Sequence, residues 1–288
     1  MNATCLACHF QKNVETALSF GDQEKATAFA KELMAAYLDA PADAASPYFG
    51  PLVTQLLQNY FGISEDRYTE EKRLSNAFVL ERMDTIRQKL RQQKDPVYAG
   101  LQFSILGNYL DFSALKGQVS FEKLEEMLDS ALDMELDRDC YQQLCRDLEC
   151  ATRLLYLTDN AGEIGFDRLF AEQIAEKYPH LHITFCVRGG PALNDATRED
   201  AAIVGIPFPV IDNGNCYAGT VIPQLGKEAK EAMDSAHVIL SKGMGNVETL
   251  LGCDYNIYYA FLVKCAHFIR LFDKPFMTPM LVSQRQYK

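Results

Sequence analysis

Short apolar runs alternate with helical stretches through the second half of the chain. This alternation constrains the fold more than any other feature. The runs cover residues 153–158, 182–187, 207–211, 237–240 and 256–263. Each has the length of a strand, and most end at a Gly- or Asp-rich turn. Strands separated by helices need crossover connections, and these build a mainly parallel sheet with helices on its faces. Residues 146–288 therefore read as an α/β domain with a Rossmann-like sheet. Ligands of such sheets bind beyond the carboxyl ends of the strands.

Upstream the pattern is different. Phe29, Leu33 and Tyr37 recur every four residues. Val79, Met83, Ile86 and Leu90 recur at three and four, as do Phe121, Leu124 and Leu128, and Tyr141, Leu144 and Leu148. That spacing is the apolar stripe of amphipathic helices. Pro41, Pro47, Gly50 and Pro51 separate the first of them. Residues 1–145 thus read as an all-helical domain capping a site on the α/β domain. A chain of 288 residues, 48% hydrophobic, fills both units without disulfide staples.

Charge narrows the partners. Lys and Arg number 28 against 39 Asp and Glu, a net charge of −11. Such a surface repels a phosphate backbone, so nucleic acid is not an expected partner. A small phosphate ligand in one local pocket is not excluded by it. The uncharged stretch 44–64 carries Pro47, Gly50, Pro51, Gln55, Gln58 and Asn59, which rules it out as a membrane span. The N-terminus, MNATCLACHFQKN, has no basic region followed by an apolar one, so no signal peptide is read there. Nine scattered cysteines, an odd number, read as reduced thiols of a cytoplasmic protein. Oligomeric state is not legible.

Polar residues gather just after the strands. Asp159-Asn160-Ala161-Gly162-Glu163 follows the first run. Arg188-Gly189-Gly190-Pro191-Ala192-Leu193-Asn194-Asp195 follows the second, Asp212-Asn213-Gly214 the third, and Ser241-Lys242-Gly243-Met244-Gly245-Asn246-Val247-Glu248 the fourth. Acids, amides, a base and glycines at several strand ends suggest one site built from several loops. Asp159, Asn160 and Asp195 offer hard oxygens of the kind that suit Mg²⁺ or Mn²⁺. Each is also a favoured cap or turn residue. Thr197 and Asp200 have the spacing of a capping box, and a helix start there offers amide hydrogens to an anion. Gly243-Met244-Gly245 is half a dinucleotide fingerprint, but Glu248 stands where the third Gly belongs, so nicotinamide binding is not indicated. Cys5-x-x-Cys8-His9 reads as a metal ligand set, a redox pair or buried inert thiols.

These segments together resemble the damage-control phosphatases, also known as domain of unknown function 89. The matching residues are Leu157-Thr158-Asp159-Asn160-Ala161-Gly162-Glu163, Arg188 through Thr197, and Ser241 through Thr249, with Asn108-Tyr109-Leu110-Asp111-Phe112 at the end of the helical half. The likeness spans nearly the whole chain. It implies a metal-dependent phosphatase for small phosphate monoesters, such as sugar phosphates or damaged cofactor-pathway intermediates. It implies one divalent ion (Mg, Mn, Co or Ni) on Asp159, Asn160 and Asp195, and a phosphate contact from Lys242. Substrate contacts are expected from Asn108, Asp111, Arg188, Gly189, Gly243 and Asn246. The loop Asp212-Asn213-Gly214-Asn215 departs from the Ser/Thr-Gly-rich form expected there.

A phosphatase that forms an aspartyl-phosphate carries a second Asp two residues after the first. Ala161 occupies that position, which favours a metal-activated water. Glu163 either orients that water or is an ordinary first-turn helix acid. The rival readings are a non-catalytic metabolite binder on the same scaffold and a CxxC-based redox or iron–sulfur protein. The resemblance also brings Cys5 and Cys8 near Cys265, as ligands of a soft metal with His9, as a reversible disulfide or as a packed apolar cluster.

Overall fold

The computed structural model describes residues 1–64, 67–112, 115 and 119–287. The first half is helical: α1 (Ala3–Leu18), α2 (Gln23–Asp39), α3 (Gly50–Phe61), α4 (Thr69–Arg91), α5 (Pro96–Gly107), α6 (Phe121–Asp129) and α7 (Arg138–Cys150). The second half alternates β1 (Arg153–Leu157), α8 (Glu163–Lys177), β2 (His182–Val187), α9 (Arg198–Ile203), β3 (Val210–Asp212), α10 (Lys227–Ser235), β4 (Val238–Lys242), α11 (Gly243–Leu250), β5 (Ile257–Leu262), α12 (Ala266–Phe272) and β6 (Pro279–Ser283).

The strand order is β3-β2-β1-β4-β5-β6. Every neighbouring pair is parallel except β5 and β6, which run antiparallel with Tyr258 opposite Ser283 and Leu262 opposite Pro279. The chain winds outward from β1 to β3, then returns to build β4 to β6 on the other side. The order reverses between β1 and β4, and a crevice opens at that switch point. The sheet is therefore the mainly parallel α/β arrangement expected, with β6 as an unforeseen addition. β3 begins later than expected because Pro207 and Pro209 have no N–H for the ladder, a defect tolerated on an edge strand.

Alternate residues of β1 enter different cores. Leu154 and Tyr156 join a cluster with Val79, Leu101, Phe103, Leu144, Leu148, Phe166 and Phe170. Leu155 and Leu157 face the opposite layer, with Ile239, Met244, Val247 and Tyr259. Both sheet faces are thus covered, as the near-continuous apolar strands require. A third, smaller cluster of Ala17, Phe29, Leu33 and Leu57 ties α1 to α2 and α3. The boundary drawn at 145/146 falls inside the first cluster, between Leu144 and Leu148 of α7. Among the described residues no helix is long and apolar enough to cross a membrane.

Candidate active site

Two strand-end loops build the centre, and main-chain bonds fasten them together. Ala161 N donates to Asn194 O at 2.9 Å, and Ala196 N donates to Asp159 O at 2.7 Å. Asn160 and Asp195 form an isolated antiparallel bridge between them. The loop after β1 and the loop after β2 therefore share one register, which brings Asp159, Asn160 and Asp195 to the same end of a cavity of about 420 Å³. Leu193, just before this pair of residues, holds φ at 54°, a left-handed conformation unusual for a branched side chain. Asp111 and Lys264 line the same end.

Gly243 opens α11 with φ at 75°. A Cβ there would sit 2.0 Å from Asp159 Oδ2, so only glycine lets the carboxylate pack on the turn after β4. Asn108, at the end of α5, anchors the same carboxylate from the helical half. Its Nδ2 donates to Asp159 Oδ2 at 2.9 Å and to both oxygens of Glu163, while its Oδ1 accepts from Leu262 N at 3.1 Å. Asn160 is also fixed in one orientation. Its Nδ2 donates to Asp159 Oδ2 and to Glu163 Oε2, each at 2.7 Å, and its Oδ1 accepts from Asn194 Nδ2 at 2.9 Å.

Several residues expected to touch substrate stand behind the cavity instead. Lys242 is fully buried, and its ammonium donates to Ser104 O at 2.8 Å, Glu163 Oε1 at 2.6 Å and Asp167 Oδ1 at 2.9 Å. Three acceptors use its three donors, leaving none for a phosphate. Glu163 spends its oxygens on Asn108, Asn160 and Lys242, so it is not placed to orient a water in the cavity. Arg188 is likewise buried. Its Nε donates to Asp195 Oδ2 at 2.6 Å, and its outer nitrogens reach Gly219 O, Asn246 Oδ1 and, at 3.9 Å, Asp159 Oδ1. It holds the carboxylates of Asp195 and Asp159.

Asn246 pins the start of α11 by donating to Lys242 O and to Thr158 O. Gly189 N donates to Asn215 O and to Asn213 Oδ1, and a Cβ on Gly189 would meet Asn215 N at 2.6 Å. Its role is to admit the loop after β3, not an anion. The start of α9 is filled as well. Asp200 accepts from Thr197 N, Asn76 Nδ2 and Lys72, so the protein supplies its own anion there.

Lys264, just beyond β5, lines the cavity, as Lys12 and Arg67 do. Its Nζ lies 2.6 Å from Asp111 Oδ2 and 2.7 Å from Asn108 O. Sequence reasoning gave it no role, although the strand-end rule that picked out Asp159 applies equally to the end of β5.

Burial decides the electrostatics. It pushes the Asp195 carboxyl up to about 6, against the pull of Arg188. It raises Asp159 well above the usual carboxylate range, and the charges of Asp195, Glu163 and Asp111 add to the rise. Burial also works against the charge of Lys242, but Asp167 and Glu163 outweigh it and its pKa rises. Among the described residues no three or more His, Cys, Asp and Glu side chains converge as a metal-holding group. The triad itself has two carboxylates and one amide.

A profile of the damage-control phosphatase ARMT1-like domain matches residues 1–275. A damage-control phosphatase of Pyrococcus horikoshii is 32% identical over 266 residues, covering 91% of this chain and 89% of the relative. One from Archaeoglobus fulgidus is 31% identical over 189 residues, 65% of this chain and 64% of its own. An uncharacterized protein of Methanocaldococcus jannaschii is 32% identical over 277 residues, 91% of this chain and 88% of its own. The crystal structure of a protein of the family of domain of unknown function 89 from P. horikoshii superposes with a TM-score of 0.82 at 25% identity, covering 99% of both chains.

Proposed function

The chain belongs to the damage-control phosphatase ARMT1-like domain family, and from that premise we propose that it is a divalent-metal-dependent phosphatase acting on small phosphate monoesters. The observation that carries the metal is a charge imbalance. Asp111, Asp159, Glu163, Asp167 and Asp195 form one bonded cluster with Lys242, Lys264 and Arg188. With all five carboxylates ionised the cluster carries an excess of two negative charges, the strain that pushes Asp159 and Asp195 toward the neutral acid, and one divalent ion there would offset it. The oxygen donors Asp159, Asn160 and Asp195 suit Mg²⁺, Mn²⁺, Co²⁺ or Ni²⁺.

Such an ion supplies Lewis-acid neutralisation of phosphoryl charge and a water of lowered pKa. The remaining work falls to the chain's own residues. Arg188 holds Asp195 in place, and Asn108 holds Asp159. Lys264 takes the phosphoryl contact that the sequence reading gave to Lys242, with Asp111 fixing its ammonium. Ala161 is buried two residues after Asp159, so no second acid stands there to serve a covalent aspartyl-phosphate route. The leaving group extends along the cavity toward α1, whose Lys12, Asn13 and Thr16 line the wall.

The test is hydrolysis of p-nitrophenyl phosphate, then of a panel of sugar phosphates and cofactor-precursor phosphates, with Mg²⁺, Mn²⁺, Co²⁺, Ni²⁺ or EDTA. Turnover that needs the metal and disappears in Asp159→Asn is the expected result. Metal binding without turnover on any phosphate would instead favour a non-catalytic metabolite binder.

A further inference from the structure

The CxxC segment has no part in the phosphoryl chemistry, yet it lies at the same cavity. Cys5 and Cys8 of α1 line its wall, with Cys265 of the turn between β5 and α12 facing them. A contact between the two elements sets the register. Asn2, which caps α1 by accepting from Cys5 N at 2.9 Å, places its Nδ2 3.1 Å from His267 Nδ1. Cys5 lies one turn along from Asn2, and Cys265 lies two residues before His267, so the contact joins the two segments that carry these thiols. The charge of Cys265 adds to the rise that burial causes at Cys5, and that of Cys8 adds to the rise at Cys265, so the three thiols share one neighbourhood.

We propose that Cys5 and Cys265 are a disulfide-forming pair that staples α1 across the mouth of the cavity. All nine cysteines are free in this structure, and both members of the pair are partly buried residues that line the cavity. A pair is preferred to a soft-metal site because no three His, Cys, Asp or Glu side chains converge as a metal-holding group among the described residues.

The oxidant is a low-molecular-weight disulfide, R–S–S–R. The amides of Phe268 and His267 point at the Cys265 sulfur and partly offset the burial that raises its pKa. Cys265, as thiolate, attacks one sulfur of the reagent. A mixed disulfide forms, the reagent's S–S bond breaks, and one RS⁻ leaves. Cys5 then attacks the Cys265 sulfur, the Cys5–Cys265 bond forms, and the second RS⁻ leaves. Two protein thiols are oxidised and one reagent disulfide is reduced to two thiols, which take the two protons lost by the protein. The bond closes the chain between residues 5 and 265 into one loop. It also fixes the wall beside Lys264, so substrate entry narrows.

The test is exposure of the full chain to hydroxyethyl disulfide, followed by alkylation and non-reducing peptide mapping. The expected result is a Cys5–Cys265 linked peptide, absent in Cys265→Ser and in Cys5→Ser, with a raised unfolding temperature that dithiothreitol reverses. Phosphatase turnover should fall on oxidation and return on reduction. Finding Cys5 and Cys265 both free, each capped by reagent, or Cys5 joined to Cys8, overturns the proposal. The gating part rests on the phosphatase reading, whereas the mapping does not. A protein with the bond but no turnover under any condition would sink the phosphatase reading alone. A protein whose turnover is the same with and without the bond would sink the gate.

Discussion

Lys242 and Glu163 form an ion pair with 2.6 Å between Nζ and Oε1, and both side chains are fully buried. Asp167 joins it at 2.9 Å. The pair sits under Asn108 and Asn160, whose amides it orients through Glu163. Its charge is thus structural. Removing one partner leaves an uncompensated buried charge, so Lys242→Met should cost about 3–5 kcal/mol of stability. The double variant Lys242→Met with Glu163→Gln should recover part of that loss. Urea unfolding of both variants measures it. A Lys242→Met protein as stable as the wild type would contradict the assignment.

Gly243 is the sharpest steric test. Gly243→Ala introduces a Cβ into the Asp159 carboxylate at a backbone angle that alanine rarely adopts. Displacing the carboxylate should weaken Mn²⁺ binding and cut turnover by roughly 10²-fold, the scale on which misplaced catalytic groups are felt. Titration calorimetry and steady-state kinetics on the same preparation check both.

Lys264 should matter to kinetics and not to the ion. Lys264→Ala removes the ammonium that Asp111 and Asn108 hold beside the cavity, so kcat/KM should fall roughly 10²-fold, as for loss of one preorganised donor to a developing oxyanion. Mn²⁺ affinity should hold or tighten, because a repelling cation has gone. Unchanged kinetics would return Lys264 to a purely structural partner of Asp111.

Glu248 carries a pH signature. Burial raises its pKa from 4.5 to about 7, against hydrogen bonds from Ser46 and the charge of Lys12. An acid with a higher pKa in the folded state binds its proton more tightly there. Its ionisation therefore costs stability as pH rises from its unfolded value through its folded one, and the cost is complete above that. Glu248→Gln should gain stability relative to wild type across this window and show a constant difference outside it. Unfolding temperatures of the two proteins from pH ~4 to ~8 test this. A difference that does not change with pH would contradict it.

The sequence was most informative where chemistry follows strand ends. Asp159, Asn160 and Asp195 follow β1 and β2, and their convergence needs only crossover topology, which the alternating pattern announces. Lys242 follows the same rule and misleads. Every residue of β4 is buried, so neither alternation nor position reveals that its ammonium turns inward toward Asp167. Arg188, Gly189 and Asn246 fail for a related reason. Arg188 and Asn246 satisfy buried partners, and Gly189 admits a neighbouring loop, none of which leaves a mark in a single sequence. α5 was passed over because residues 97–107 are buried on all sides, so it has no polar face and no period. β6 is hard to read because Pro279 opens it, a residue that argues against a strand, and because it pairs antiparallel with β5, outside the parallel crossover pattern. The expected meeting of Cys5 and Cys8 with Cys265 appears as a shared cavity wall.

The central claim is that Asp159, Asn160 and Asp195 hold one divalent ion at the carboxyl end of the sheet. Calorimetric titration of Mn²⁺ into the metal-free chain, beside the same titration of Asp195→Asn, tests it most directly. The account predicts one ion bound per wild-type chain and a loss of affinity of roughly tenfold or more in the variant, by the scale of site-ligand perturbations. Equal stoichiometry and affinity in the two proteins, with Asp195→Asn still folded, would contradict it.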